Sequence, residues 1–182
     1  APGYFPDFTS ILVYPDTYVA DEISYDGEVE IHEQVARAGE SWERGPVIVS
    51  WADAEEAGRG SGYNVVIHEF AHKLDMLNGE ANGFPPLHAN MDRAQWAEAF
   101  SAAYEDFCRK VDAGQRPRID EYAAESPAEF FAVTTEYFFE RSAELEALHP
   151  ELYAELRSYF RQDPARWEPP PRRRDVLDDI LD

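Results

Sequence analysis

NVVIHEFAHKLDML, residues Asn64 to Leu77, holds two of the chain's five histidines four residues apart, with Glu69 directly after the first. At about 100° per residue, with His68 placed at zero, His72 falls at about 40°, Asp75 at about 340° and Glu69 at about 100°. Val66, Ile67, Phe70, Leu74 and Leu77 fall at about 160° to 260°, on the other side. The expectation is a helix that packs by one face and turns a polar stripe to a cleft or to water, with Lys73 and Met76 as solvent and packing residues. At this chain's His and Glu frequencies an H-E-x-x-H arises by chance in about 2% of such sequences, so accident explains it poorly.

The chemistry explains it better. Histidines at i and i+4 stand on successive turns, so both imidazoles reach one Zn²⁺ while the backbone stays helical. Glu69 flanks such a metal without binding it, where a general base can take a proton from water that the metal acidifies. Asp75, one turn after His72, is placed to accept a histidine N–H and fix the tautomer. A catalytic zinc needs a third protein ligand and one open position. The continuation KLDMLNG excludes a histidine ten residues after the first. Candidates therefore lie in ESPAEFFAVTTEYFFE, residues 125–140. Glu129 is one, although Ser126, Pro127 and Glu129 also read as a capping box; Glu136 and Glu125 are rivals, and His88 and His149, beside prolines, are weaker. A structural zinc would need a fourth ligand, and Cys108, the one cysteine, sits in an apolar helical pattern.

Around this stretch the chain divides into two halves. Before it, Ile11–Pro15, Val29–Val35 and Pro46–Trp51 read as strands, with His32 and Glu33 as surface polar residues and Asp53–Gly62 as an acidic, glycine-rich loop. After it, helical periodicity covers Asn90–Val111, a segment following Ser126 and about Pro150–Phe160. The 182 residues suit one domain, 1–164, ahead of a loosely packed tail, 165–182, rich in proline and mixed charge. The class is α+β, a small N-terminal sheet, an active-site helix and a helical half.

A net charge of −21 disfavours nucleic acid and anionic membranes as partners. No window approaches the roughly 18 apolar residues of a membrane span, and the single cysteine leaves no internal disulfide, so a cytoplasmic location is expected.

HEFAHKLD, then NG, and later the Y-A-A-x-x-P-A-E-F-F-A-V-x-x-E-Y-F-F series resemble the Mlc titration factor A family of zinc metallopeptidases. GESWERGPVIVSWAD (Gly39–Asp53) and YFRQDP (Tyr159–Pro164) extend the resemblance over most of the chain. It implies a zincin-like, gluzincin-type domain whose zinc pattern is similar to that of the anthrax lethal factor catalytic domain. It implies His68, His72 and Glu129 as zinc ligands, Glu69 as catalytic base and Tyr122 as the hydroxyl that steadies an oxyanion. It further implies aminopeptidase action on short peptide substrates and, as a second class of function, sequestration of a transcriptional repressor. Capture of a substrate amine falls to Glu136 in this reading, and the strand Pro46–Trp51 is expected at the cleft edge, where an extended peptide would pair with it.

Overall fold

The structure, a computed structural model, describes residues 8–26, 29–41 and 45–167, and for residues 8 and 18–37 the backbone alone. Strands β1 (Phe8–Tyr14), β2 (Tyr18–Asp26), β3 (Val29–Arg37), β4 (Gly39–Ser41) and β5 (Gly45–Ser50) precede helices α1 (Trp51–Glu56), α2 (Val65–Asp75), α3 (Arg93–Asp112), α4 (Pro127–Glu140), α5 (Ser142–Leu148) and α6 (Pro150–Phe160). Three strands form one sheet in the order β1-β5-β4, with β1 parallel and β4 antiparallel to β5; β2 and β3 pair antiparallel as a separate ribbon. The chain is thus an α+β single domain. Among the described residues no helix is long and apolar enough to cross a membrane. Of the expected tail, only residues 165–167 fall within the described range.

The expected strands and the four expected helices are present, but β2, β4, α1 and α5 are additional. β2 carries YVADEISYD, whose three acids hide any two-residue alternation, and it exists through its register with β3. The segment expected to be an acidic loop opens as α1, because the Ser50 side chain accepts the Asp53 N–H and caps it. The expectation for the His32 and Glu33 side chains lies outside the described residues. β1 is an edge strand, and Ile11, Leu12, Val13 and Tyr14 are all exposed.

The main core lies among α3, α4 and α6 and is largely aromatic. Trp96 stacks on Phe100 at 4.3 Å between ring centroids, and Phe131 and Tyr159 close around the same indole. A smaller cluster of Val47, Val49 and Val65 joins β5 to α2. α2 is therefore packed on both sides: α4 and β4 lie against the stripe expected to meet a cleft or water, and His68 and Glu69 still line a cleft between them. Glu69, Lys73 and Asp75 are buried, whereas Leu77, on the expected packing face, is exposed. The reading of Lys73 as a solvent residue is overturned. A helix seen alone has a whole outer face, but a helix between two layers keeps only what the cleft leaves open.

α2 and α4 are also braced at the far end of α2. Asp75 is fully buried, and its Oδ2 accepts the N–H groups of Asn82 (2.8 Å) and Gly83 (2.6 Å). Gly83 has φ +77°, and a Cβ there would stand 2.5 Å from the Pro127 carbonyl oxygen at the start of α4. Gly83→Ala adds left-handed strain to a backbone clash, and it is expected to cost about 1–3 kcal/mol. Thermal unfolding should show a Tm lower by several degrees, and unchanged stability would refute this reading of the contact.

Candidate metal centre

α2 starts where it does because Asn64 caps it: its side-chain oxygen accepts the Ile67 N–H at 3.1 Å. The same residue reaches α4 twice, its backbone N–H going to Glu136 Oε2 and its amide nitrogen to Glu140 Oε1 at 2.8 Å. On α4, Ser126 caps by accepting the Glu129 N–H at 3.1 Å, and Pro127 occupies the first turn. Glu129 thus caps with its backbone and leaves its side chain free to act elsewhere, so cap and ligand are not alternatives.

His68 Nε2 lies 3.1 Å from His72 Nε2 and 3.0 Å from Glu129 Oε2, which lies 3.3 Å from His72 Nε2. These three residues form the group among the described residues that could hold a metal ion. Bonds of about 2.0–2.1 Å in a tetrahedral site put ligand atoms about 3.3 Å apart, so the triangle has the size a zinc ion demands. Glu129 Oε2 is buried and has no hydrogen bond of good geometry. Three donor atoms converging from two helices at this spacing suit a cation.

Behind the triangle, His68 Nδ1 meets Glu136 Oε1 at 2.8 Å, which fixes the ring with Nε2 turned toward His72 and Glu129. The sequence placed Glu136 at a substrate's amine. Both of its oxygens are instead committed, one to His68 and one to the Asn64 N–H, and the residue is 2% exposed, so that assignment is overturned. Orientation of His68 by Glu136 went unread because a partner seven residues beyond Glu129 can be seen only once the helices are crossed. His72 Nδ1 and Asp75 Oδ1 are both buried without hydrogen-bond partners.

Charge follows the packing. Burial alone lowers the His68 pKa, but its contacts with Glu129 and Glu136 outweigh that and raise it to about 10 in the metal-free chain. Burial raises the Glu129 carboxyl, yet His68 and His72 hold it well below the ordinary range. Glu69 is pushed the other way, to about 7, chiefly by burial and against the pull of both histidines. Its Oε2 is buried and unpartnered.

A cleft of about 720 Å³ opens onto these groups, bordered by Ala38 and Gly39 on one side and Asp120, Tyr122 and Glu125 on the other. Tyr122 belongs to a short 3-10 turn before α4, is exposed, and has its ring 6.0 Å from that of His68. β5 cannot be the cleft edge expected for it, because β1 and β4 flank it on both sides; the rim strand is β4. His88 and His149 are elsewhere, the first on the Tyr159 carbonyl at 2.8 Å and the second at the α5–α6 junction.

Paired imidazoles on one helix, a facing glutamate and a buried carboxylate beside them make a group that could hold a metal ion. The chain belongs to the glucose-regulated metallo-peptidase M90 family, whose model matches residues 1–161. An uncharacterized protein of Synechocystis is 42% identical over 164 residues, which cover 88% of this chain and 60% of that protein. The Mlc titration factor A of Yersinia enterocolitica is 40% identical over 169 residues (88% and 63%), and that of Yersinia pestis 39% identical over 178 (90% and 66%). The chain therefore spans about three-fifths to two-thirds of the length of these curated relatives.

Metal binding must displace the proton that His68 holds, so divalent-metal affinity should climb about tenfold per pH unit through neutrality and beyond. With an unperturbed histidine the climb would level off above pH 6.5 or so. Glu136→Gln should lower the affinity about 10- to 100-fold and flatten that slope above neutrality. Competition with a chromophoric chelator measures both, and an affinity independent of pH between about 6.5 and 9 would contradict a His68 that stays protonated past neutrality.

Gly39 makes a separate demand. A Cβ there would lie 2.5 Å from Glu69 Oε1 and 2.8 Å from Glu69 Cγ, so the rim strand approaches the carboxylate as only glycine permits. Gly39→Ala should lower the Tm of the metal-free protein by several degrees, and in a Glu69→Asp background, one methylene shorter, it should cost far less. Equal losses in the two backgrounds would show that the two residues do not press on each other.

Proposed function

We propose that this chain is a zincin-like, gluzincin-type catalytic domain of a zinc-dependent peptidase, with His68, His72 and Glu129 as metal ligands and Glu69 as general base. The observation that carries the reading is the triangle of ligating atoms beside a buried, unpartnered carboxylate. Two imidazoles and one carboxylate leave a held zinc ion with net positive charge, and its Lewis acidity would acidify water and polarise a peptide carbonyl. Glu69 takes the proton of the attacking water and delivers it to the leaving amine nitrogen; burial, which lifts its pKa toward neutrality, suits a group that must do both. Tyr122, a neutral phenol on the opposite wall, donates a hydrogen bond to the oxyanion as it forms. Asp75 acts on His72 through its charge and not through a hydrogen bond, since its Oδ1 and the Nδ1 of His72 are both without partners.

An extended peptide would lie along β4, whose outer edge borders the cleft. Aminopeptidase action requires a carboxylate for the free amine, and Asp120 and Glu125 are the acids on the cleft wall that suit that role. The family supports a metallopeptidase, and the aminopeptidase reading rests on the resemblance; paired free and N-acetylated peptides test it, since equal cleavage of both would exclude amine capture. The relatives named Mlc titration factor A favour a second reading, in which the chain also binds a transcriptional repressor. Retention of the repressor by a Glu69→Gln protein in a pull-down would separate binding from hydrolysis.

Glu69→Gln itself is expected to keep one zinc per chain and to lose about 10²-fold or more in kcat. Metal content and peptide cleavage measured on the same sample decide it, and full turnover would remove Glu69 from the mechanism.

A further inference from the structure

A second cavity, of about 520 Å³, lies between α3 and the α5–α6 junction and shares no lining residue with the metal cleft. Its volume is within the range of small-molecule sites. One wall is apolar: Ala99, Ala102 and Ala103 recur at helical spacing on α3 and face Leu148 and Leu152. The polar lining is of one sign, with four carboxylates, Glu98, Asp106, Glu151 and Glu155, and no lysine or arginine.

Glu155 is the anomaly. It is only 6% exposed, and among the described residues no hydrogen bond or ion pair reaches it. Its surroundings offer no relief, since burial raises its carboxyl pKa and Asp92 adds repulsion. Of the other acids that line the cavity, Asp106 is held by Lys110 at 2.5 Å, and Glu98 and Glu151 are exposed to water, which leaves Glu155 as the buried one. Burial lowers the pKa of His149, so its ring at the cavity mouth is neutral near pH 7 and is no substitute cation. With its oxygens open to the cavity and no counter-charge beside them, the carboxylate is placed to meet a cation from outside.

We propose that this cavity binds an organic cation, a guanidinium or primary ammonium on a short aliphatic stem, with the charged head on Glu155 and the stem along the alanine face of α3. The ligand chemistry is that of an arginine or lysine side chain and equally of a free aliphatic amine. The alanines leave the width that a methylene chain requires, and the one-signed rim draws a cation in while repelling carboxylates.

The test is calorimetric titration of the full chain with agmatine, a guanidinium and an amine on a four-carbon stem. A parallel titration uses an N-acetylated, C-amidated alanine-rich peptide bearing one arginine. N-butylurea serves as the uncharged control. Binding by agmatine or by the peptide, absent for N-butylurea, is expected, and the stronger of the two shows whether the natural source is a free amine or a protein side chain. Glu155→Gln keeps the shape and should weaken binding about tenfold or more, with a Tm equal to or above that of the parent because an uncompensated charge is gone. Ala102→Trp fills the groove from an exposed position and should abolish binding. Glu80→Gln, an exposed acid outside the cavity, should leave it unchanged. Absence of binding by both cations, or binding that Glu155→Gln and Ala102→Trp do not weaken, overturns the proposal.

Discussion

One buried carboxylate, Glu136, governs the relation between the two helices that make the site. It is 2% exposed, yet it accepts from the Asn64 backbone at the start of α2 and faces His68 Nδ1 one turn later. Burying a charge is tolerable only where partners meet it, and these partners are met at one relative placement of α2 and α4. Glu140, one turn further along α4, repeats the constraint by accepting from Asn64 Nδ2 and the Gly60 N–H. With that crossing set, Glu129, two turns earlier on α4, is carried to the Nε2 atoms of both histidines. The candidate metal centre is thus a consequence of how two helices lock, and the lock itself is made of polar groups.

The same enclosure sorts the acids around the histidines. Glu129 faces both imidazoles and is held ionised; Glu69, against the glycine of the rim strand and without a hydrogen-bond partner for Oε2, is lifted to about 7. Identical side chains on neighbouring helices acquire opposite tendencies from environment alone, the difference that the proposed roles of ligand and proton carrier would require. Gly39 belongs to this arrangement as a shape. By lacking a side chain it lets β4 close over the carboxylate, and that closure supplies the desolvation that shifts it.

Surface charge, by contrast, bears on partners. The chain's net charge of −21 is general, but its placement is uneven, with paired acids along the helices and an unpaired one, Glu155, sunk between α3 and α6. The cleft beside the histidines and the Glu155 cavity share no lining residue.

Much of the site was legible in the chain itself. His68, Glu69 and His72 are bound to one helix by a local period, and local periods survive any tertiary arrangement. Ser126 and Pro127 announced α4 for the same reason, because capping is settled within one turn. What the chain could not show were relations across elements: that Glu129 caps with its backbone and meets the histidines with its side chain, that Glu136 turns to His68 and not to a substrate, that Lys73 is buried, and that β4 and not β5 is the rim. Strands β2 and β4 escaped notice because their identity lies in the neighbours they pair with. The sequence by itself determined the reactive groups and their spacing along a helix; the tertiary structure alone decided which carboxylate meets which imidazole, because side chains far apart in the chain acquire partners only when packing brings their helices together.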